Sequence, residues 1–316
     1  MLNRRHLRIK VLQALYAYFQ SDEENYRRTE NELFDAIDRI YDLYIYLLLS
    51  IPEVKVFAER RIDENKKKIR PTQEDLHPNM KFVNNSIIQK IESDKKLREI
   101  SELNKVNWIG DEKQEIFRKM FLHIRESETY FEYMNNDNTG FEADKQFLID
   151  LFKIEIANFP LLYNYFEELS IHWLDDIDLA CTMVLKSLKT MDAETDPLLV
   201  MDLYKDEEDE KEFTRELLRK TISMDKENEL LIDELTKNWE LDRIAKMDVI
   251  LMKMAITEFQ IFKTIPTKVT LNEYIEISKF YSTPKSNGFI NGVLDKAIIR
   301  LQAENKIVKI GRGLLN

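Results

Sequence analysis

The side chains best suited to bind a ligand lie in the first ten positions, where basic residues are concentrated. Arg4, Arg5, Arg8 and Lys10 lie within residues 1–20, which contain no Asp or Glu, although the whole chain has a net charge of -11. Cations at a helix N-terminus oppose the helix macrodipole, whereas a phosphate would bind both the arginines and the free backbone N–H groups. The pattern therefore favours a phosphate-binding site. The alternative is that these arginines pair with the acidic remainder of the chain.

A second candidate site is the polar stretch 282–292, which precedes the last predicted helix. It combines hydroxyls and amides with one cation, Lys285, and one aromatic ring, Phe289. Single-stranded RNA is bound by stacking on aromatic rings and by hydrogen bonds to exposed base edges, so this composition suits an RNA site. The competing interpretation is a loop before a helix, in which Phe289 belongs to the core and Gly292 permits close helix packing. On the residues alone, the competing interpretation is the stronger one.

Residues typical of catalytic or metal sites are few and scattered. The 4 histidines lack metal-ligand spacing, and the 6 glycines form no phosphate-binding loop. The single cysteine, Cys181, lies among apolar residues, which is typical of a buried structural thiol. The aspartates within 175–178 are expected to cap a helix, with a metal site as the less favoured alternative. We therefore predict a protein without enzymatic activity, cofactor or metal.

Composition predicts an all-α protein of the cytoplasm. The chain has only 6 Gly and 7 Pro in 316 residues, too few for the many tight turns of a sheet protein. One cysteine excludes an intramolecular disulfide, which fits a reducing compartment. The N-terminus lacks the apolar core of a signal peptide, and the most apolar stretch, 41–51, is about half the ~20 residues of a membrane span. We expect a soluble protein without a membrane partner.

Apolar periodicity predicts helices along most of the chain. Their expected positions are 4–20, 28–69 (with Pro52 as a candidate start of a new helix), 81–105, 111–134, 143–170, 174–191, 212–222, 225–237, 242–262 and 289–302. Asn3 is expected to cap the first helix, and Thr270 with Glu273 to form the capping box of a further helix that ends before Pro284. The stretch 192–211, which contains Pro197 and the acidic run 206–210, is expected to be a loop or short linker.

The predicted helix 242–262 is apolar almost all round, which is typical of the buried centre of a helical bundle. It contains a carboxylate, Asp248. An unpaired buried charge is costly, so we expect Asp248 to be hydrogen-bonded to a neighbouring helix end or to an arginine. The alternative is that Asp248 accepts a hydrogen bond from a nucleobase at the rim of the bundle.

Four sequence blocks, in this order, resemble the NusB family of bacterial transcription antitermination factors. They are 4–8 (RRHLR) with 13–16 (QALY), then 239–255 (WELDRIAKMDVILMKMA), 266–279 (PTKVTLNEYIEISK) and 289–296 (FINGVLDK). The clear resemblance covers residues 1–20 and about 212–303. Residues 21–211 are far longer than the connection usual in the family, and this organisation resembles the long NusB-like proteins of Bacteroidetes.

The resemblance implies NusB-like helical bundles with a large additional helical region. Residues 1–20 with 205–316 are the expected RNA-binding domain, and 21–204 an inserted region of unknown role. The implied ligand is boxA RNA, a short single-stranded element of nascent transcripts. The implied partners are NusE, the ribosomal small-subunit protein, and the RNA polymerase antitermination complex.

The resemblance also implies which residues bind RNA, carried over position by position. They are Arg4, Arg5, Arg8, Gln13, Tyr16, Asp248, Lys285, Phe289 and Asn291. His6 departs from the pattern, because the family often has another basic residue there, so this phosphate contact is expected to be weaker or pH-dependent.

Two other functions remain as alternatives. The long additional region and the acidic surface fit a helical protein-interaction scaffold without specific RNA binding. An RNA-modifying enzyme with a NusB-like domain would need a separate cofactor domain with a glycine-rich loop after a strand, and no such pattern is present.

Overall fold

The structure, a computed structural model, describes residues 2–21, 25–170, 173, 175–194, 200–236 and 244–314. These residues are mainly α-helical and contain no β-strand, which confirms the predicted all-α class. The helices are α1 (Arg4–Gln20), α2 (Tyr26–Lys66), α3 (Gln73–Leu76), α4 (Ser86–Ser93), α5 (Lys95–Leu103), α6 (Asp111–Ile124), α7 (Glu128–Asn135), α8 (Phe141–Leu151), α9 (Pro160–Leu169), α10 (Ile177–Thr190), α11 (Glu207–Ser223), α12 (Asp225–Leu235), α13 (Lys246–Ile261), α14 (Thr267–Tyr281) and α15 (Ser286–Ala303).

The chain divides into two compact units. The middle unit is Asp38–Leu203, and the terminal unit combines Leu2–Ile37 with Tyr204–Asn316. Helix α2 contributes residues to both units, because it begins at Tyr26 and ends at Lys66.

The core of the terminal unit is built around α13. Every residue from Ile250 to Phe259 is buried, and α13 contacts α1, α11, α12, α14 and α15. This helix is the buried centre that its apolar composition predicts. Helix α1 starts where Asn3 predicts: Asn3 Oδ1 accepts from the His6 N–H at 3.0 Å, and His6 Nδ1 accepts from the Asn3 N–H at 3.2 Å.

Residues 207–210 are helical, so the predicted loop over 192–211 is wrong at its end. Asp206 is the N-cap of α11, where its Oδ1 accepts from the Asp209 N–H at 3.1 Å. The acids that follow it form the first turn. Carboxylates are stabilised at that position by the positive end of the helix macrodipole, so the same acidity that suggested a linker starts a helix.

Three other helix ends differ from the sequence predictions. Pro52 lies inside α2 rather than at a new start, in a stretch where Ile51 and Val54 are buried. Pro266, not Thr270, is the N-cap of α14, so the predicted capping box is wrong. Helix α15 begins at Ser286, three residues earlier than predicted. At each of these positions the sequence prediction used local pattern alone.

The middle unit has a core rich in aromatic rings. Trp108, 2% exposed, lies with its ring 4.8 Å from Phe117, 5.4 Å from Tyr165 and 5.9 Å from Phe166, and its indole N–H donates to the Tyr46 carbonyl at 3.0 Å. Such rings contribute large buried areas, and edge-to-face contacts add to them. They hold the helix 111–124 and the helix 160–169 around one indole.

Several predicted helices of the middle unit are interrupted. The stretch 81–105 is broken at Asp94, which ends α4 and caps α5 through a bond from the Leu97 N–H at 2.6 Å. The stretch 143–170 contains α8, a π-turn at Phe152–Ile156 and α9. Periodicity persists across such breaks, so sequence alone did not reveal them.

The remaining reactive groups of the middle unit are structural in character. Burial raises the pKa of the Cys181 thiol to about 12, so it is protonated at neutral pH and a poor nucleophile. Asp176 occupies the N-cap position of α10 without a capping side-chain hydrogen bond. Within the described residues, no group of His, Cys, Asp and Glu could hold a metal ion. Among the described helices, none has the length and apolar composition that a membrane crossing requires.

Candidate nucleic-acid interface

The N-terminus of α1 presents Arg4 and Arg5 at the surface of the terminal unit, each paired with an acid. Arg4 Nη2 lies 2.7 Å from Asp209 Oδ2, and its guanidinium lies 4.8 Å from the ring centre of Phe213. Arg5 donates from Nε and Nη2 to the two carboxylate oxygens of Glu273, at 2.8 Å each. These hydrogen bonds raise the pKa of Arg5 and lower the pKa of Glu273. The arginine side chains remain 35% and 43% exposed, so a phosphate can reach both.

Arg8, one turn further along α1, is buried at 2% exposure. Its Nε and Nη2 donate to the two oxygens of Glu258 at 2.8 and 2.6 Å, and Glu258 also accepts from Thr270 Oγ1 at 2.8 Å and Tyr274 OH at 3.0 Å. Desolvation lowers the pKa of Arg8, but Glu258, Tyr274 and Glu273 together raise it by more, so the guanidinium stays charged. In this position Arg8 fixes α1 to α13 and α14, and its pairing with Glu258 matches the alternative in which the arginines pair with acids of the chain.

A groove of about 640 Å³ lies beside these arginines. It is lined by Asn3, Arg4, Arg5, Arg8, Thr264, Ile265, Pro266, Val269 and Glu273. The N-terminus of α1 and the connection between α13 and α14 form its walls. Because Glu273 lies among the cations, an anion that enters must compete with a carboxylate already hydrogen-bonded to Arg5.

Asp248 lies at the opposite end of α13, in its first turn, and is 4% exposed. It accepts a short hydrogen bond from the hydroxyl of Ser282, the C-cap residue of α14. Ser286 Oγ, at the start of α15, lies 2.9 Å from Ser282 Oγ and 2.8 Å from Thr283 Oγ1. The buried carboxylate therefore has the neighbouring helix end as its partner, as its burial predicts, and it holds the turn between α14 and α15.

The candidate residues of the stretch 282–292 occupy the start of α15. Lys285 is exposed at the N-cap position, and Phe289 is half-buried. Asn291 Nδ2 donates to Asp295 Oδ2 at 3.3 Å. Residues two apart on a helix do not share a face, so Phe289 and Asn291 point in different directions. The structure therefore does not bring Phe289 and Asn291 to one surface.

The remaining candidates, Gln13 and Tyr16, lie three residues apart on α1 and share a face. Tyr16 is 40% exposed, and Gln13 is half-buried. Lys246 Nζ donates to Gln20 Oε1 at 3.0 Å, which places the end of α1 beside the start of α13.

The three arginines and Lys285 thus lie at the two ends of α13. Arg4, Arg5 and Arg8 lie near Glu258, whereas Lys285 lies near Asp248. Ten residues of helix separate these two carboxylate positions, a rise of about 15 Å. A ligand that touches both groups must extend along the bundle.

Comparison with known proteins identifies the family of this region. The NusB family model matches residues 179–298. These residues form a NusB family domain. The match covers α11–α14 and most of α15, and it begins within α10.

Three curated relatives bear the name transcription antitermination protein NusB. The protein of Salinibacter ruber is 41% identical over 105 residues, which is 33% of this chain and 66% of the relative. That of Chloroherpeton thalassium is 38% identical over 106 residues, 34% of this chain and 50% of the relative. That of Natranaerobius thermophilus is 41% identical over 70 residues, which is 22% of this chain and 50% of the relative. The chain therefore spans from half to just under two thirds of these relatives. No solved structure matches the chain.

The acids that hold the arginines were missed by the sequence analysis. Glu258, at 0% exposure, is a charged residue in the most apolar helix of the NusB domain, and that position alone called for a cationic partner. Glu273 was assigned to a capping box, and Asp209 to a linker. The basic block 4–8 lies outside the matched residues 179–298, and residues 239–243 of the second block lie outside the described residues.

Proposed function

We propose that the terminal unit binds boxA-type single-stranded RNA together with NusE, the ribosomal small-subunit protein. On this proposal the chain is a non-enzymatic cytoplasmic transcription antitermination factor that promotes read-through by RNA polymerase in ribosomal RNA transcription. The RNA-binding domain consists of residues 1–20 with 205–316. The observation that carries the proposal is the NusB family match at 179–298, supported by relatives named for transcription antitermination.

The exposed arginines at the start of α1 support a phosphate contact. Their pairs with Asp209 and Glu273 are partly exposed, and exposed ion pairs contribute only about 0–1 kcal/mol. An RNA phosphate can therefore replace either carboxylate at low cost. Arg8 is not retained as a phosphate ligand, because its bidentate pair with Glu258 is buried; it instead positions α1 so that Arg4 and Arg5 face outward.

The second contact proposed is at the other end of α13. Lys285 is exposed there, and Asp248 holds the turn through Ser282. On this proposal a base stacks partly against the ring of Phe289, which is half-buried on the same side as Lys285. On this arrangement, RNA would run along the bundle from the α1 arginines to Lys285.

The test is a fluorescence-anisotropy titration of a boxA-containing RNA and a scrambled control, with and without NusE, at two salt concentrations. We expect selective binding that tightens with NusE. The double change Arg4→Ala with Arg5→Ala should weaken the affinity for boxA RNA about tenfold. The slope of log K against the logarithm of the salt concentration should become shallower by about 0.7 for each RNA phosphate that the protein no longer binds. The matched control is Arg28→Ala with Arg300→Ala, which removes two exposed arginines elsewhere in the terminal unit.

Equal affinity for boxA and scrambled RNA, with or without NusE, would contradict the proposal. Unchanged affinity in the Arg4→Ala, Arg5→Ala protein would contradict the site and leave the RNA-binding function standing. Folding of each variant is checked by circular dichroism.

The second candidate function is a protein-interaction scaffold without specific RNA binding. It is favoured by the pairing of Arg4, Arg5 and Arg8 with acids of the same unit. Recovery of ribosomal or polymerase components that is unchanged by RNase, together with no RNA affinity of the pure protein, would support it.

A further inference from the structure

The middle unit contains a groove between α6 and α9 that its own core leaves open. It measures about 300 Å³ and is lined by Glu112, Glu115, Ile116, Lys119, Leu161, Asn164, Tyr165 and Glu168. These residues follow the i, i+3, i+4, i+7 spacing on each helix, so each helix presents one complete face. Over seven residues, each face is about 10 Å long.

The groove exists because an aromatic wedge separates the two helices. The buried indole of Trp108 lies between Phe117 of α6 and the rings of Tyr165 and Phe166 of α9. Gln114 Nε2 donates to the Trp108 carbonyl at 2.9 Å and fixes this segment to α6. Since the rings fill the space beneath, the outer faces of the helices cannot close on each other.

The floor of the groove is apolar, and its rim is acidic. Ile116 is 8% exposed and Leu161 36% exposed, and burial raises the pKa of Tyr165 to about 12, so its hydroxyl is neutral. Glu112 and Glu168 are exposed and have no ion pair within the described part of the chain. Such a surface combines hydrophobic area with uncompensated negative charge.

We propose that this groove binds a basic amphipathic helix of a partner protein. Apolar side chains spaced i, i+3, i+4 along the partner helix would cover Ile116, Leu161 and Tyr165, and its Lys or Arg residues would pair with Glu112 and Glu168. This binding is independent of the RNA function proposed for the terminal unit.

The negative charge of the middle unit favours a basic helix in this groove over nucleic acid, anionic lipid or a second copy of the chain. The middle unit has 22 Lys and Arg against 32 Asp and Glu, so nucleic acid and anionic lipid are repelled. A second copy of the chain that docked by the same face would bring Glu112 and Glu168 against their own equivalents. A cationic protein segment gains from both the charge and the apolar floor.

The test uses the full chain and a labelled Lys/Leu amphipathic peptide of roughly 14 residues, about four helical turns. A peptide with Glu in place of Lys is the charge control. Binding is followed by fluorescence anisotropy. We expect the Lys/Leu peptide to bind and the Glu control peptide not to bind. The double change Glu112→Lys with Glu168→Lys should weaken the affinity for the Lys/Leu peptide at least about tenfold.

The matched control variant is Glu74→Lys with Glu132→Lys, which makes the same charge change at exposed positions of the same unit outside the groove. It should alter the affinity less than about twofold, because exposed charges at a distance are screened. If the Glu112→Lys, Glu168→Lys protein does not fold, Leu161→Gln is the second test variant. It changes a half-exposed position in the floor of the groove and should also weaken peptide binding. Absence of peptide binding, or equal losses in the groove and control variants, would overturn the proposal.

Discussion

The two compact units have similar numbers of cationic side chains but differ in their acids. Residues 38–203 contain 22 Lys and Arg against 32 Asp and Glu, whereas residues 1–37 with 204–316 contain 25 against 26. The middle unit therefore accounts for -10 of the net charge of -11. A surface of that sign repels RNA and attracts cationic partners. The difference favours nucleic-acid binding in the terminal unit and protein binding in the middle unit.

The units also differ in how they satisfy their most buried polar groups. The terminal unit buries a charged pair, Arg8 with Glu258. The middle unit buries a neutral hydroxyl: Tyr44 OH lies 2.6 Å from Ser187 Oγ and accepts from the Met201 N–H at 3.0 Å. A buried charge that loses its partner costs more than a buried neutral group does, so substitution of Arg8 is expected to destabilise more than substitution of Tyr44.

Removal of the Arg8 guanidinium is the change with the largest expected effect. Arg8→Ala leaves Glu258, at 0% exposure, without its bidentate cation, and an uncompensated buried charge costs about 3–5 kcal/mol. We expect the free energy of unfolding of the terminal unit to fall by that amount in urea denaturation followed by circular dichroism.

Two further variants sharpen this result. Arg28→Ala removes an exposed arginine of the same unit, 2.8 Å from Glu32, and should cost less than about 1 kcal/mol. The double change Arg8→Met with Glu258→Leu removes both buried charges and should recover part of the loss, because the buried Thr270 and Tyr274 hydroxyls lose their acceptor. Equal costs for Arg8→Ala and Arg28→Ala would show that the buried pair is unimportant.

The corresponding change in the middle unit is Tyr44→Phe, with a smaller expected effect. It removes the partner of the Ser187 hydroxyl and of the Met201 N–H, which costs about 1–3 kcal/mol. Tyr163→Phe, at 39% exposure in the same unit, is the control and should be nearly neutral. A loss for Tyr44→Phe as large as that for Arg8→Ala would remove the contrast between the units.

The start of α11 offers a third comparison. Asp206→Ala removes the side-chain acceptor of the Asp209 N–H and should lower the free energy of unfolding by about 1 kcal/mol. Asp206→Asn keeps a capping oxygen and should cost less. The same loss in both variants would mean that the charge of Asp206, and not its cap, stabilises the helix.

The smallest expected effect is pH-dependent and concerns Glu273. Hydrogen bonds from Arg5 lower the folded-state pKa of Glu273, so its ionised form stabilises the fold above the unfolded-state pKa. That contribution is lost as the pH falls through the lowered value. Glu273→Gln removes it, and because Arg5 is 43% exposed we expect a loss of less than about 1 kcal/mol at neutral pH.

Urea denaturation of the native protein and of Glu273→Gln across the acid range measures this effect. The two stabilities should differ near neutral pH and converge in acid. A difference that grows as the pH falls would contradict the assigned pairing of Glu273 with Arg5.

Some features of the NusB domain and of α1 were predictable because they depend on residues close in sequence. The first helix was expected at 4–20 and is observed at Arg4–Gln20, since Asn3 caps it locally. The apolar stretch around Ile250–Phe259 predicted a central helix, because only burial can accommodate a helix that is apolar all round. The Thr270 and Glu273 prediction failed because the spacing of a capping box is identical whether the threonine caps a helix or lies within one.

By itself, the sequence determined the helical class, the family resemblance, the basic start of α1 and the excess of acids between residues 38 and 203. These are properties of composition and short-range pattern. Only the tertiary structure decided which charges meet: Arg8 pairs with Glu258, 250 residues away, and Arg5 with Glu273, 268 residues away. Whether an arginine faces solvent or a buried carboxylate depends on such distant partners, because the free energy of a charge is set by the residues packed around it and not by its neighbours in sequence.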